Sequence, residues 1–340
     1  NLRLAAKNIV VWRSMLGISW LWFYGAMLLN QFANMSKDVL GGNEQVATAL
    51  LAVFAVGVAV GSLLCERLSG KKVEIGLVPF GSIGMSLFAI DLYFATKGLK
   101  PAGHSGVGEF IAKPEHWRVI ADLFLLSVSG GLYSVPLYAL IQERADPSHR
   151  SRISAANNIL NAIFMVVSAL LAIALIKFAH FNVPELILTI GVLNAVVATY
   201  IYTLTPEFLL RFLCWMLISF AYRLRVKGLE NIPDKGPVIV VANHVSYVDA
   251  LVITAACRRP IQFVMDHNIF KTPVLAWVFR QMKAIPIAGA KEDPAMMAQA
   301  FERVKQTLAD GDVVGIFPEG KLTKDGEMNP FRPGIERIVA

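Results

Sequence analysis

Charge is scarce in this chain. Of its 340 residues only 17% are Asp, Glu, Lys or Arg, 55% are apolar, and the mean hydropathy is +0.54. Soluble domains run at roughly 25% charged residues, which argues against disorder, a coiled coil or an all-soluble enzyme. Cysteine is nearly absent as well. Cys65, Cys214 and Cys257 show neither metal-ligand spacing nor a disulfide framework, so buried free thiols and no metal site are expected. Neither sign of charge dominates: the net +7 divides into +4 up to residue 206 and +3 after it. That balance is too mild and dispersed for nucleic acid, and it suits an anionic lipid surface. No charged n-region, short apolar stretch and cleavage site open the chain, so no cleavable signal peptide is expected.

What the chain has instead is long apolar runs. Residues 14–36, 46–65, 123–142, 153–176 and 186–206 contain no charged residue, and 75–96 contains only Asp91. Each is near the ~20 residues that cross a hydrocarbon core. Six spans are therefore expected over residues 1–206. With residue 1 inside, 13 Lys and Arg fall in inside segments and six outside, which places residues 207–340 in the cytoplasm. Polar residues within the runs are candidates for a transport pathway: Asn30, Gln31 and Asn34 in span one, and Ser154, Asn157, Asn158 and Asn161 on a shared face of span five. Helix packing is the alternative role for them. Gly130, Gly131 and Pro136 are expected to break span four, and Asp91 and Asp122 to be wetted near the outer ends of theirs.

Two inside loops carry a pattern. Gly61-Ser-Leu-Leu-Cys-Glu66-Arg67-Leu-Ser-Gly70-Lys71-Lys72 resembles the G-x-x-x-D-R-x-G-R/K-R/K loop of major facilitator transporters, with Glu66 in place of Asp. Asp146-Pro-Ser-His-Arg150-Ser-Arg152 resembles the equivalent basic loop one repeat later. The resemblance implies half of a twelve-span transporter, with six further spans before Asn1. Positive-inside anchoring is the plainer reading of either loop alone.

After Pro206 the texture changes. Phe208–Tyr222, followed by Arg223, Arg225 and Lys227, reads as an interfacial helix within a linker at 207–225. From Val226 short apolar strands alternate with helices: strands at 237–242, 261–265, 284–287 and 312–317, and helices at 248–256, 273–282 and 294–308. This alternation argues for an α/β domain with a largely parallel sheet. Two of its loops carry chemistry. In Asn243-His244-Val-Ser246-Tyr-Val-Asp249 a histidine follows a strand, and the aspartate five residues on can fold back to fix the ring's tautomer. Phe317-Pro318-Glu319-Gly320-Lys321 also follows a strand, and its Glu and amides suit a polar substrate or a capped turn.

Together N-H-x-S-x-x-D, A-I-P-I at 284–287 and F-P-E-G resemble the glycerolipid acyltransferase family over roughly residues 224–340. The resemblance implies His244 as base and Asp249 as its partner. It also implies an acceptor site that includes Asn243, Ser246, Phe317, Pro318, Glu319 and Gly320, and a fatty acyl donor that is an acyl-carrier-protein or coenzyme A thioester. No other cofactor is implied in this segment. Lys321 departs from the usual Thr or Arg, and Asp266-His267 departs from the usual basic residue followed by Glu, with His267 expected as a solvated loop residue. Cys257 has no neighbouring base in the sequence, so no covalent acyl-enzyme is expected.

Both halves together resemble bacterial fusions of a lysophospholipid transporter with 2-acylglycerophosphoethanolamine acyltransferase. These are multi-pass proteins of the bacterial inner membrane that continue into an adenylate-forming acyl-carrier-protein synthetase. The expectation is then an α-helical membrane domain at 1–206, the linker, and a C-terminally incomplete α/β acyltransferase domain at 226–340, with a synthetase beyond residue 340. The expected reaction acylates a lysophospholipid. The alternative is a 1-acylglycerol-3-phosphate acyltransferase whose membrane half is only an anchor.

Overall fold

Asn8 sets the start of the first long helix, because its side chain accepts hydrogen bonds from the N–H groups of Val10 and Val11. The computed structural model describes residues 2–69, 76–99, 101, 103, 105–204, 206–233, 235–257, 259–332, 334 and 336, and the chain divides into two compact units, Asn1–Thr203 and Leu204–Ala340. Gly70, Lys71 and Lys72 of the facilitator-like loop lie outside the described residues.

The first unit is helical. Its long helices are α1 (Ile9–Leu29), α2 (Glu44–Ser69), α3 (Leu77–Thr96), α4 (Glu115–Arg144), α5 (Arg150–Ala179) and α6 (Val183–Leu204). Among the described residues five helices, α2 to α6, are long and apolar enough to cross a membrane. Helix α1 does not reach that measure, since it carries Arg13, three tryptophans and Tyr24. It also begins and ends earlier than the expected run 14–36. After Leu29 the chain makes a short α turn at Phe32–Asn34 and a π turn at Met35–Val39.

That break gives the polar residues expected in span one different environments. Asn30 and Asn34 are exposed beside the break, while Gln31 is buried and accepts a hydrogen bond from the Asn34 amide at 3.3 Å. On α5 the four polar residues do not share one environment: Asn157 and Asn161 are buried, whereas Ser154 and Asn158 are exposed. Buried Asn157 Oδ1 has no hydrogen-bond partner among the described residues, whereas Asn161 and Asn194 join helices. Ser19 of α1 meets Asn161 at 2.8 Å, and Asn194 of α6 accepts from Trp20 Nε1 and donates to Ser82 O and Ser86 Oγ of α3. Such contacts act as glue between helices in lipid.

Span four is not broken. Helix α4 runs without interruption through Gly130, Gly131 and Pro136. Gly131 serves close approach instead, as do Gly61 of α2 and Gly81 of α3. A Cβ on Gly131 would come within 2.7 Å of Val58 O and 2.8 Å of Ser62 N, one on Gly61 would strike the Val128 backbone, and one on Gly81 would come within 2.6 Å of Ser129 O. Small residues thus let α4 press its backbone against α2 and α3, where a hydrophobic driving force is weak. The two aspartates also differ from each other. Asp91 forms a two-pronged ion pair with Arg118 at 3.1 and 2.5 Å. Asp122 is buried rather than wetted, and its Oδ2 has no hydrogen-bond partner among the described residues.

The second unit opens with α7 (Pro206–Ala221), which packs on α8 (Asp249–Ala256) and α9 (Pro273–Gln281). Arg211 of α7 donates to the carbonyl of Cys257 at 3.1 Å, so this helix, expected within a linker at 207–225, packs as part of the second unit. Four parallel strands, β1 (Val238–Val241), β2 (Ile261–Asp266), β3 (Ile285–Ile287) and β4 (Val313–Ile316), lie in the order β1-β4-β2-β3. Helix α10 (Pro294–Ala309) begins with Asp293 capping Met296 N at 2.9 Å and Pro294 in its first turn. Its Ala300 and Val304 pack with Ile285, Val314 and Ile316. The opposite face of the sheet buries Ile261, Phe263 and Val313 with Cys257. All three cysteines are buried and unbridged. The expected terminal element at Ile338–Ala340 lies outside the described residues.

The helix packing predicts opposite outcomes for one methyl group at two glycines. Gly61→Ala forces backbones apart and should cost about 1–3 kcal/mol. Gly25→Ala, with nothing within 4 Å of the new Cβ, should be neutral or stabilise by up to about 1 kcal/mol. Thermal unfolding of both variants in detergent checks the contrast.

Candidate active site

The register of β1 against β4 builds the site. Val241 pairs with Ile316, so the two loops leave the sheet side by side at its C-terminal edge, where open α/β sheets bind ligands. Three residues past each paired position stand His244 and Glu319. They meet: the His244 N–H donates to Glu319 Oε1 at 2.9 Å.

Asp249, the first residue of α8, folds back on the loop before it. Its Oδ2 lies 3.0 Å from His244 Nδ1 and accepts from the N–H groups of Val245 at 2.7 Å and Ser246 at 2.8 Å. A carboxylate only accepts, so Nδ1 carries the proton and Nε2 keeps its lone pair. Half-burial of both side chains, at 22% and 21% exposed, leaves the ring reachable. Beneath it the Phe317 ring stacks at 4.2 Å and 16°, and Phe263 stacks in turn on Phe317 at 5.6 Å. Gly315, paired with Phe263, makes room for this, since a Cβ there would come within 2.5 Å of the Phe263 ring.

The remaining expected site residues divide by role. Asn243 is exposed and its side chain has no hydrogen-bond partner among the described residues. The hydroxyl of Ser246 accepts from Val248 N at 3.4 Å, within the turn. Phe317 is the floor under the imidazole, and Pro318 is buried with its carbonyl accepting from Arg332 N at 2.9 Å. Glu319, expected to meet the acceptor, bonds within the protein. It is 2% exposed, and while Oε1 holds His244 N, Oε2 accepts from Asn329 N at 2.8 Å and Asn329 Nδ2 at 2.9 Å. Its carboxylate is a clamp between loops. Gly320 is exposed and left-handed, at φ +62°. His267 is not a solvated residue: its side chain is 18% exposed and sits 3.6 Å from Asp266 and 3.5 Å from Glu292.

Some contributors carry no signal in the sequence. Asn329 reaches Glu319 across ten residues, Thr323 N donates to His244 O at 3.0 Å, and Phe263 comes from a neighbouring strand. Among the described residues no group of three or more His, Cys, Asp or Glu is placed to hold a metal ion.

Residues 223–340, which hold the parallel sheet with the His–Asp pair on one strand end and the clamped Glu on the next, match the model of the acyltransferase family. The 1-acyl-sn-glycerol-3-phosphate acyltransferase LPAT1 of Arabidopsis thaliana chloroplasts is 30% identical over 129 residues, 37% of this chain and 35% of that protein. The 1-acyl-sn-glycerol-3-phosphate acyltransferase of Borreliella burgdorferi is 28% identical over 124 residues, 34% of this chain and 46% of that one. Lysophosphatidylcholine acyltransferase 2 of Rattus norvegicus is 25% identical over 122 residues, 35% of this chain and 22% of that one. The chain thus spans less than half the length of these relatives. No solved structure matches it significantly.

The clamp predicts acid sensitivity. Hydrogen bonds from Asn329, through its N–H and amide, and from the His244 N–H hold the Glu319 carboxyl below the ordinary glutamate value of 4.5. A lowered carboxylate stabilises the fold above its unfolded pKa, and that contribution is lost as pH falls through the lower folded value. The protection of the Asn329 amide against hydrogen exchange, relative to the intrinsic rate at each pH, should therefore fall below about pH 4.5. In Glu319→Gln that protection should be low and nearly constant across the same range.

Proposed function

We propose that the acyltransferase unit moves a fatty acyl group from a thioester to the free hydroxyl of a lysophospholipid. The observation that carries this is the 3.0 Å contact between His244 Nδ1 and Asp249 Oδ2, which leaves Nε2 as a positioned base. Nε2 takes the acceptor's hydroxyl proton as its oxygen attacks the thioester carbonyl. The tetrahedral intermediate then expels the thiolate, which recovers the proton from the imidazolium. One thioester bond is broken, one ester bond is formed, and the histidine ends as it began. The donor is an acyl-carrier-protein or coenzyme A thioester.

The acceptor we favour is a 1-acylglycerol 3-phosphate, because the Arabidopsis thaliana and Borreliella burgdorferi relatives are named for that substrate. Lysophosphatidylethanolamine is the second candidate, resting on the resemblance to transporter–acyltransferase fusions. Lipid substrates suit the surface of this unit. Tyr247 in the His244 loop, Val274 and Trp277 on α9, and Phe220 on α7 are all exposed apolar side chains, which singly or together bury area against a bilayer. For the helical unit we favour an anchor over half of a facilitator. Its buried Asn161 and Asn194 bond neighbouring helices, and the polar residues expected for a pathway fall in different environments. A bacterial inner membrane location and a cytoplasmic active site rest on the Lys and Arg distribution alone.

His244→Ala in the full chain should lower kcat by about 10²–10⁴, and Asp249→Asn should approach that loss by releasing the tautomer. Near-normal turnover in either folded variant overturns the assignment. Direct competition between the two acceptors decides the headgroup: preference for the phosphate monoester supports 1-acylglycerol 3-phosphate as the acceptor, and preference for the ethanolamine lipid replaces it.

A further inference from the structure

The helical unit buries one acidic side chain and gives it no cation of its own. Among its described Asp, Glu, Lys and Arg residues only Asp122 is buried, at 4% exposed, and its Oδ2 has no hydrogen-bond partner among the described residues. It stands seven residues after Glu115, the first residue of α4, about 10 Å along the helix. The free N–H groups of the first turn are therefore out of its reach. Arg118 precedes it by one turn on the same face. The guanidinium of that arginine is committed to α3, where Nε and a terminal nitrogen hold the two oxygens of Asp91.

The carboxyls of Asp91 and Asp122 also lie within hydrogen-bonding reach of each other. Two carboxylates only accept, so no bond forms between them while both are ionised. One proton turns the contact into an O–H···O⁻ bond of the short, charge-assisted kind. The two ends are unequal. The Asp91 side chain is 40% exposed and paired with Arg118, so it keeps the charge. Asp122 is desolvated and has no ion pair among the described residues, so the neutral form suits it. Other charges on the elements packed around α4 are turned elsewhere. Lys97, just after α3, lies over the rings of Tyr93 and Phe94. His116 Nδ1 is 2.9 Å from Phe110 O, and its Nε2 faces Glu115 at 3.9 Å. Glu44, Glu66 and Arg67 of α2, Arg13 of α1 and Glu109 of the short helix Val107–Ala112 are exposed. The charges that act on Asp122 are those of Asp91 and Arg118.

We propose that Asp122 and Asp91 share one proton and form, with Arg118, a proton-binding site that joins α3 to α4. With the proton bound, Asp122 donates to Asp91 and Arg118 belongs wholly to Asp91. When the proton leaves to water, two carboxylates compete for one guanidinium and the joint between the helices loosens. A proton held by the fold contributes its stability at low pH, and that contribution is lost as pH rises through its release. The site is independent of the acyl-transfer reading, since every group in it belongs to the helical unit.

Infrared spectroscopy of the full chain in detergent reads the proton directly, because a protonated carboxyl has a C=O stretch distinct from that of a carboxylate. At mildly acidic pH, well above the ordinary aspartate value of about 3.9, the parent protein should show that band and lose it as pH is raised. Asp122→Asn should lack it. Asp91→Asn should lack it as well, because Asp122 is then the sole acid beside Arg118 and ionises to pair with it. Glu44→Gln, at an exposed acid of α2, should leave it unchanged. Hydrogen exchange gives a second readout. Protection over residues 91–96 and 115–122, relative to the intrinsic rate at each pH, should fall in the parent as the band fades. In Asp122→Asn, whose amide donates to Asp91 without a charge, that protection should stay constant with pH. A band that survives in Asp122→Asn or in Asp91→Asn overturns the shared proton. Protection that falls equally in the parent and in Asp122→Asn overturns the joint between the helices.

Discussion

One strand pairing determines the rest of the catalytic unit. Because Val241 is opposite Ile316 in parallel register, two loops 75 residues apart in sequence emerge together with matched offsets. A slip of one residue would turn every side chain of a strand to the other face. It would lose the His244–Glu319 bond and place the Phe317 ring away from the imidazole. The register is held by burial on both faces of β4, where all four residues are buried. The hydrophobic core thus specifies the geometry of a polar site, which it reaches through Phe263 and Phe317.

Much of this unit is legible in its sequence. Apolar runs of four to six residues between turns locate all four strands to within a residue or two, and Pro294 after Asp293 marks the start of α10. The His–Asp pair is legible because its partners are local: five residues apart, at a strand end and a helix start. Glu319 is not legible in the same way. Its acidity suggests a substrate contact, but its three hydrogen bonds go to main-chain and amide donors from segments that only the sheet and the returning loop bring together. The role of Phe317 is hidden for a related reason, since stacking partners on neighbouring strands leave no periodic trace.

The helical unit shows the opposite balance. Composition locates its long helices well but misjudges what their exceptional residues do. Gly130, Gly131 and Pro136 are helix breakers in water, where solvent competes for the backbone. In an apolar setting the backbone keeps its internal bonds, and glycine becomes the residue that lets two backbones touch. Asn161 and Asn194 follow the same logic. An amide inside a bundle finds a partner on the next helix, and a pathway would instead need several polar groups on one open face.

Asp249 makes the base and the helix behind it interdependent. One carboxylate oxygen takes Nδ1–H of the histidine and two main-chain N–H groups at the threshold of α8. Those N–H groups belong to the loop that leads into the helix, and the negative charge also suits the positive end of the helix. Loss of the carboxylate would therefore disturb the loop and the ring together, so damage from the aspartate exceeds what the ring's electrostatics alone implies. The Glu319 carboxylate performs the equivalent task on the other side of His244, from the main chain rather than the ring. Two acidic groups with no proton to move hold one neutral base, and its reactive nitrogen is the part of the assembly left without a protein partner among the described residues.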